Sequence, residues 1–439
     1  MLVLAGCVSA PVPPGVTPAA SSLPDDGASV SPSASAVLPS PTAGQPSAAS
    51  ATPWPSGSVA SLSPPPTAVP SSSPSQTPPA SSPSVAPTLR PIPTNIDPAL
   101  GAVLQAIVDD AVGRIPTPGI SVAIRLPSGE LWTGVAGQAS IVPARPITSD
   151  TVFGVASITK TFVTALIMRL ADEGVLTLDD PLSLYLPSFP RAERLTLRHL
   201  LSHTSGIYDY FTNPHYVTEV FADPSRTWTL DEILGFVGDP YCEPGTCYHY
   251  SNTNFVLLGR VAVEAGGSPL HVQIRQRFLD PLGLGHTNFQ PDEPTPLDHA
   301  NGHLISGGRY VDHTGTSRVV PHRSAVTVAW AAGAMASSPT DLARWAGALY
   351  GGQVVSAEAL AQMIDFQPPD GYGLGTRSAT FSGRLAAGHL GGIRGFESAM
   401  WHFLAEDVTI VVCTNRGRYS TGRTVRMLTR TLLGPAVLP

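Results

Sequence analysis

The order of sequence patterns along this chain predicts an α+β fold. Runs of alternating apolar residues begin near residue 119 and return after residue 384, and both indicate β-strands. Residues 176–345, between them, have the pattern of helices and loops. Strands first and last with a helical middle predict one antiparallel sheet formed by the N- and C-terminal parts, flanked by helices, and a mostly helical insertion lobe.

The first 95 of the 439 residues differ in composition from the rest. Residues 8–95 are mainly Pro, Ser, Ala, Thr and Val, and half of the 46 prolines lie within the first 98 residues. Such a segment buries too little apolar surface to offset the entropy lost on ordering, and its prolines favour extended polyproline II. We expect a disordered tether over 8–95 and one folded domain over 96–439.

Residues 1–7 end in Leu-Ala-Gly-Cys, which resembles the cleavage box of bacterial lipoproteins, where the cysteine is lipidated. The apolar run before Cys7 is shorter than a signal-peptide core and lacks a basic region. A start further upstream and a chance match are therefore both open. We expect an exported protein, held on the outer face of the cytoplasmic membrane by a lipid on Cys7 or secreted, with no other membrane contact.

The folded part begins with an amphipathic helix over 96–112, in which Asp97 is placed to cap the helix and Pro98 occupies its first position. Two alternating runs, 119–125 and 130–137, surround Pro-Ser-Gly and predict a β-hairpin. The other predicted elements are a buried helix within 150–174, strands over 384–395 and 396–412, and a helix over 421–433.

Lys160 is the only lysine among the 25 Lys and Arg residues. Arginine stays protonated at neutral pH, whereas a buried lysine can lose its proton and act as a base. Ser157 lies three residues earlier, and residues i and i+3 share one face of a helix. The pair is typical of a serine nucleophile beside its activating amine; the alternative is that Ser157 only caps the helix that follows.

Two other stretches offer the groups that a serine nucleophile needs, a second acid or base and an oxyanion hole. Tyr250 and Asn252 lie two residues apart in a short loop-like stretch before an apolar helix, so both can point into one cleft. The glycines of 388–395 fit a strand whose backbone approaches a ligand closely, and His389 adds a polar group there.

These residues form three motifs in order, Ser157-Ile-Thr-Lys160, Tyr250-Ser-Asn252 and His389-Leu-Gly391. They resemble the Ser-x-x-Lys, Tyr-x-Asn and Lys/His-x-Gly motifs of the serine β-lactamase-like and penicillin-binding family. That family includes class C β-lactamases, D-Ala-D-Ala carboxypeptidases and related esterases. With similar flanking stretches, the resemblance covers about 100–433.

The resemblance implies roles for the first two motifs. Ser157 would be the acylated nucleophile at a helix N-terminus. Lys160, partly neutral because burial removes it from water, would take or relay the serine proton. Tyr250 would act as a base or as the acid that protonates the leaving group, and Asn252 would orient Lys160 and the substrate amide.

The third motif would form the opposite wall of the cleft through His389 and Gly391. The resemblance implies an oxyanion hole made by the backbone N–H groups of Ser157 and Gly392, each worth about 3 kcal/mol in the transition state. No metal or organic cofactor is needed for this chemistry.

Structural roles are open for several of these residues. Tyr250 could be an ordinary core aromatic, Asn252 a turn residue and His389 a structural strand histidine. His203, in Ser-His-Thr-Ser-Gly, is expected to hold a turn.

The third motif departs from most β-lactamases, which begin it with lysine. Its middle residue is Leu390, where many members carry a hydroxyl that grips the substrate carboxylate. This weakens the expectation of efficient β-lactam hydrolysis and requires another group for the carboxylate. Arg394 is the candidate, and a plain surface charge is its alternative role.

Cysteines and charge limit the partners. Cys242 and Cys247 bracket a Glu-Pro-Gly-Thr turn and are expected to form a disulfide in an oxidising compartment, worth about 2 kcal/mol by loop entropy. A Cys-x4-Cys pair alone is too few ligands for zinc. A net charge of −7 with scattered arginines argues against nucleic-acid binding. We expect a monomer that acts on a small peptide or ester.

The leading hypothesis is a cell-surface serine hydrolase that forms an acyl-enzyme, most like a D-Ala-D-Ala carboxypeptidase acting on peptidoglycan stem peptides. An esterase or D-amino-acid amidase of the same family is the alternative. A catalytically inactive cell-wall binding protein is a third hypothesis, from another functional class.

Overall fold

The computed structural model describes residues 92–114, 117–314, 319–367 and 370–434. The predicted lipidation site Cys7 and residues 8–91 of the predicted tether lie outside the described residues. Within the described ranges, no helix is both long enough and apolar enough to span a lipid bilayer.

The helices carry the labels α1 to α11 in chain order. They are α1 Pro98–Arg114, α2 Thr159–Asp172, α3 Leu197–Leu201, α4 Tyr216–Ala222, α5 Leu230–Leu234, α6 Asn252–Gly266, α7 Leu270–Ile274, α8 Arg323–Ala329, α9 Pro339–Tyr350, α10 Ala357–Met363 and α11 Thr421–Leu433.

The strands carry the labels β1 to β12. They are β1 Gly119–Arg125, β2 Leu131–Ile141, β3 Ala144–Pro146, β4 Phe153–Gly154, β5 Asn288–Phe289, β6 His303–Ser306, β7 Arg309–Asp312, β8 Met335–Ser337, β9 Arg377–Phe381, β10 Arg384–Ile393, β11 Phe396–Phe403 and β12 Val408–Thr414.

The main sheet confirms the predicted α+β class. Its seven strands follow the order β3-β2-β1-β12-β11-β10-β9, with antiparallel neighbours throughout. The two ends of the domain meet where β1 pairs with β12, with Ile120 opposite Thr414. Helices α3 to α8 all lie between β4 and β8 in the chain, as the predicted helical insertion requires.

Several predicted bounds are confirmed and one is wrong. The first helix starts at Pro98, and the Leu100 N–H donates to Asp97 Oδ1 at 2.8 Å, so Asp97 caps it. The single strand expected over 396–412 is two strands, β11 and β12, joined by a turn in which Asp407 has φ +49°. Alternation is similar on both sides of that turn, so the apolar pattern alone does not reveal the reversal.

Two apolar clusters cover the two faces of the sheet. Helices α1 and α11 pack on one face over residues such as Val122 and Ile410. Helix α9 packs on the other face, and α2 is part of that larger cluster. In this layer the Phe162 ring of α2 stacks on the Trp345 indole of α9, with centroids 3.9 Å apart.

We predict that Phe162→Ala lowers the free energy of unfolding by about 3–5 kcal/mol, because it opens a cavity in a fully buried stack. Denaturant unfolding followed by circular dichroism measures the change. The matched control is Leu184→Ala: Leu184 is 66% exposed, so its loss should change stability by less than about 0.5 kcal/mol. Equal midpoints for the two variants would contradict the assigned core.

Candidate active site

Ser157 lies in a 3₁₀ turn, Ala156–Ile158, that runs directly into α2. Ala156 adopts φ +48°, a left-handed conformation that is unusual for a residue other than glycine and is frequently found at functional sites. Ser157 therefore precedes the regular helix instead of lying on it, whereas Lys160 is in the first α-helical turn. The expected meeting of the two side chains is present, since Lys160 Nζ and Ser157 Oγ are 3.0 Å apart.

The Lys160 amine is fully buried and touches three oxygen atoms. Besides Ser157 Oγ, Nζ donates to Asn252 Oδ1 at 2.8 Å and to the Ala332 carbonyl at 2.7 Å. Burial lowers the pKa of Lys160 to about 7, against the opposing effect of the Asp209 carboxylate. A neutral amine has two N–H groups and one lone pair. If the N–H groups donate to Asn252 and Ala332, the lone pair faces Ser157 Oγ.

Tyr250 lies two residues before α6 and contacts Ser157, whereas Asn252 begins α6 and contacts Lys160. The Tyr250 hydroxyl donates to Ser157 Oγ at 3.1 Å. Burial raises the pKa of Tyr250 well above its ordinary value, which keeps the phenol protonated at neutral pH. Asn252 is the first residue of α6, so its side chain is held by a helix and not by the loop that the sequence suggested.

Asp209 is a component of the site that sequence reasoning missed. Its carboxylate accepts from the Asn252 backbone N–H at 3.0 Å, from Asn252 Nδ2 at 3.2 Å and from the Phe211 N–H at 3.3 Å. These bonds fix which end of the Asn252 amide faces Lys160. Burial raises the pKa of Asp209, against the lowering effect of its hydrogen bonds. Asp209 lies in none of the three motifs, so no local pattern in the sequence marks it.

A disulfide loop supports the segment that carries Tyr250. Cys242 and Cys247 are joined by a disulfide. The Gly245 N–H donates to the Thr204 carbonyl at 2.8 Å, which ties the loop to the turn that contains His203. His203 Nδ1 accepts from the Ser251 N–H at 3.2 Å, so His203 has the turn-holding position that was expected of it.

His389 is buried on β10 and faces Tyr372, a second residue that sequence reasoning missed. Its Nδ1 lies 2.6 Å from the Leu390 carbonyl and must donate to it, so Nε2 accepts from the Tyr372 hydroxyl at 3.1 Å. Burial, with a contribution from the Lys160 charge, lowers the pKa of His389 to about 3. The imidazole is therefore neutral and supplies no fixed positive charge.

The edge of β10 next to the serine is open. Strand β9 pairs with β10 only as far as Gly388, whereas β11 pairs with it to Ile393. A Cβ on Gly391 would lie 2.1 Å from the Val155 carbonyl, so only glycine allows β10 to pass this close to the Ser157 turn. Strand N–H groups alternate between edges, which puts the Gly392 N–H on the same open edge as the Leu390 carbonyl.

Arg377 is a third residue that sequence reasoning missed, since no motif contains it. It is half-buried at the start of β9, opposite Gly388. Burial dominates the pKa shifts of Tyr248, Tyr250 and His389, and the Arg377 charge also acts on all three. Within the described ranges, the Arg377 guanidinium has no hydrogen-bond or ion-pair partner.

Arg394 lies in the turn between β10 and β11 and is half-buried, not a plain surface charge. Its Nε donates to His313 Nδ1 at 3.2 Å, and its guanidinium lies 4.3 Å from the centre of the Phe221 ring. Arg394 and Arg377 are therefore attached to opposite ends of the open segment of β10.

Comparison with known proteins agrees with this arrangement. The family model described as Beta-lactamase matches residues 104–431. The chain belongs to the beta-lactamase family.

The relatives of this beta-lactamase family member include proteins with different names and activities. The chain is 27% identical over 304 residues to a penicillin-binding protein of Bacillus subtilis, and the match covers 64% of each chain. It is 34% identical over 210 residues to the esterase EstB of Burkholderia gladioli, covering 45% of this chain and 53% of the esterase. The chain thus spans less than two thirds of the length of either relative.

Solved structures of the family show the same fold. The D-amino acid amidase of Ochrobactrum anthropi superposes with a TM-score of 0.67 at 27% identity, over 76% of this chain and 98% of the amidase. A penicillin-binding protein, an esterase and an amidase are all similar to this chain, which is a serine hydrolase of the beta-lactamase family.

We predict that Asp209→Asn lowers kcat/KM for p-nitrophenyl acetate about ten- to one-hundredfold, because Asn252 loses its charged hydrogen-bond partner. The pH profile carries a second signature. The Asp209 charge raises the pKa of Lys160, so its removal should move the acidic limb of kcat/KM to lower pH.

Asp209→Glu keeps the charge and serves as the control. The acidic limb of its kcat/KM profile should lie at nearly the same pH as that of the wild type. An unshifted limb in Asp209→Asn would contradict the coupling between Asp209 and Lys160.

Proposed function

We propose that this serine hydrolase forms an acyl-enzyme on Ser157 and acts best as a D-alanyl-D-alanine carboxypeptidase. The observation that supports this choice over other activities of the family is Arg377, which is half-buried opposite Gly388 and has no ion-pair partner within the described ranges. A carboxypeptidase differs from an amidase or esterase in that its leaving group carries a carboxylate.

Acylation begins with proton transfer from Ser157 Oγ to the lone pair of Lys160. The oxygen attacks the substrate carbonyl carbon, and the carbonyl electrons move to the oxygen, where the N–H groups of Ser157 and Gly392 would receive the charge. A Lys160 pKa of about 7 suits this role, since a general base works best near the operating pH.

Collapse of the tetrahedral intermediate requires a proton on the leaving nitrogen. We assign this proton to Tyr250, whose hydroxyl lies 3.1 Å from Ser157 Oγ. Its raised pKa keeps the phenol protonated for the role of acid, while the Ser157 proton stays on Lys160 until the acyl-enzyme is hydrolysed. Water then attacks the acyl-enzyme by the same transfers in reverse.

The position of Tyr250 defines which side of the cleft receives the leaving group. Tyr250, Tyr372 and His389 lie together on that side, with ring centroids of Tyr250 and His389 6.3 Å apart. His389 is neutral and Leu390, 41% exposed, has no hydroxyl. Arg377 is the cation on this side, so we assign to Arg377 the leaving-group carboxylate for which the sequence suggested Arg394.

An esterase or D-amino-acid amidase is the second candidate. Likeness to the Ochrobactrum anthropi amidase over 76% of this chain favours it. Neither an amide nor a simple ester leaving group would use Arg377.

The cellular setting is also part of the proposal. A lipid on Cys7 and the tether over 8–95 would place the domain outside the cytoplasmic membrane, within reach of peptidoglycan stem peptides. Mass spectrometry of Cys7 in the protein recovered from membranes tests this assignment.

We predict that a fluorescent penicillin labels the wild type, and that Ser157→Ala abolishes labelling. Lys160→Arg should also abolish it, although the charge is kept, because a guanidinium does not give up its proton near neutral pH. Gel fluorescence measures the labelling, and circular dichroism checks that each variant is folded.

Labelling of Ser157→Ala at the wild-type level would remove Ser157 as the nucleophile, and labelling of Lys160→Arg would refute proton transfer by lysine. A fluorophosphonate probe that fails to label the wild type would favour the catalytically inactive cell-wall binding protein.

We predict that the wild type prefers N-acetyl-D-Ala-D-Ala over N-acetyl-D-Ala-amide by kcat/KM. In Arg377→Gln this ratio should fall about ten- to one-hundredfold, the worth of one charged hydrogen bond. Arg377→Lys is the control that keeps the charge and should keep part of the ratio. Preference of the wild type for the amide would instead support the amidase.

A further inference from the structure

Arg394, in the turn after β10, belongs to a cluster without a carboxylate. Its guanidinium lies on the Phe221 ring of α4, and the His322 ring packs edge-on against the same ring with centroids 5.3 Å apart. His313 accepts from Arg394 Nε. We call Phe221, His313, His322 and Arg394 the Arg394 cluster.

Both imidazoles of the cluster are neutral near pH 7. Burial, with a contribution from the Arg394 charge, lowers the pKa of His322 to about 4 and lowers that of His313 below its ordinary value. The cluster therefore carries one net positive charge, which belongs to Arg394.

Two acidic groups near this turn bond to groups other than Arg394. Glu397, opposite Gly392 on β11, accepts from the Arg418 N–H at 2.9 Å. Asp312, the acidic residue next to His313, accepts from Asn301 Nδ2 at 2.7 Å and from the Thr314 N–H at 2.8 Å. Over the described ranges, no carboxylate forms an ion pair with Arg394. The guanidinium of Arg394 is half-buried and is held by an aromatic ring and an imidazole. Its remaining N–H groups form no ion pair with a carboxylate in the described ranges, so they are suited to bind an anion.

The cluster lies on the side of β10 that would receive the acyl part of the substrate, which stays bound to Ser157. Strand β10 ends at Ile393, so the backbone of Arg394, the next residue, lies at most roughly 7 Å beyond that of Gly392, on the side away from Gly388 and Arg377. Tyr250 and His389 lie on the Arg377 side, where the leaving group departs. The part of the substrate that stays on Ser157 must then extend along β10 toward Arg394.

We propose that the Arg394 cluster is an anion subsite for the acyl donor, which takes a substrate with a carboxylate about two residue lengths from the scissile carbonyl. The subsite rests on the proposed acyl-enzyme at Ser157. Phe221 and His313 hold the guanidinium in place before binding, which reduces the ordering cost of the contact. Hydrolysis would thus favour acyl donors that end in an acidic group, as opposed to neutral acyl donors of the same length.

The test compares two p-nitrophenyl esters with the same leaving group, those of N-succinyl-D-alanine and N-butyryl-D-alanine. The succinyl carboxylate lies two residue lengths, roughly 7 Å, from the ester carbonyl. The butyryl group has almost the same length without the charge. p-Nitrophenol carries no carboxylate, so the result does not depend on Arg377.

We predict that the wild type prefers the succinyl ester by about ten- to one-hundredfold in kcat/KM, as expected for one charge-assisted contact. In Arg394→Gln the ratio of the two kcat/KM values should fall to near one. Arg394→Lys should keep part of the preference. Arg309→Gln is the matched control, because Arg309 is an exposed cation on the nearby β7, and its ratio should equal that of the wild type.

Two results would overturn the anion subsite but not the acyl-enzyme. One is equal turnover of both esters by the wild type, and the other is a succinyl-to-butyryl ratio of kcat/KM that Arg394→Gln leaves unchanged. A ratio that falls equally in Arg309→Gln also overturns it, because general charge would then explain the preference. Turnover of neither ester above the Ser157→Ala background overturns the acyl-enzyme itself and the subsite with it.

Discussion

Removal of one amine from water is the constraint on which the rest of the site depends. Lys160 is fully buried, and burial outweighs the Asp209 charge in setting its pKa near 7. At that value both protonation states are populated, so the same nitrogen can accept the Ser157 proton and give one back. The packing of α2 against α6 and the Ala332 turn therefore contributes to the chemistry as well as to stability.

Orientation of the amine depends on a chain of bonds that starts at Asp209. The carboxylate fixes the Asn252 amide, the amide oxygen receives an N–H of Lys160, and the lone pair is left for Ser157. Asp209 and Asn252 belong to segments that lie before and after the disulfide loop in the chain. The Tyr241 and Gly245 N–H groups donate to the Gly206 and Thr204 carbonyls, which ties this loop to the turn before Asp209. The antiparallel sheet supplies the other wall of the cleft. Strand β9 begins only opposite Gly388, so the rest of β10 has one free edge.

The sequence predicts the fold class and the three motifs because both depend on local patterns. Alternation indicates strands, and Ser157, Tyr250 and His389 each lie in a short motif that resembles a known family. Asp209, Tyr372 and Arg377 carry no such pattern; their importance comes from tertiary contacts between segments far apart in the chain. The turn that separates β11 from β12 was missed for a similar reason, since alternation continues on both sides of it.

The chain uses different basic residues for proton transfer and for anion binding. It has a neutral histidine, His389, where most β-lactamases have a lysine in the third motif. Proton transfer needs a group whose pKa can fall to neutrality, and the chain places its only lysine there. Anion binding needs a charge that persists, and in our proposal Arg377 and Arg394 supply it at the two ends of the open segment of β10. A cation at position 389 would lower the pKa of Lys160 further, since like charges disfavour protonation. A neutral His389 therefore leaves burial and Asp209 to set the proton affinity of Lys160, while in our proposal arginines recognise the charge of the substrate.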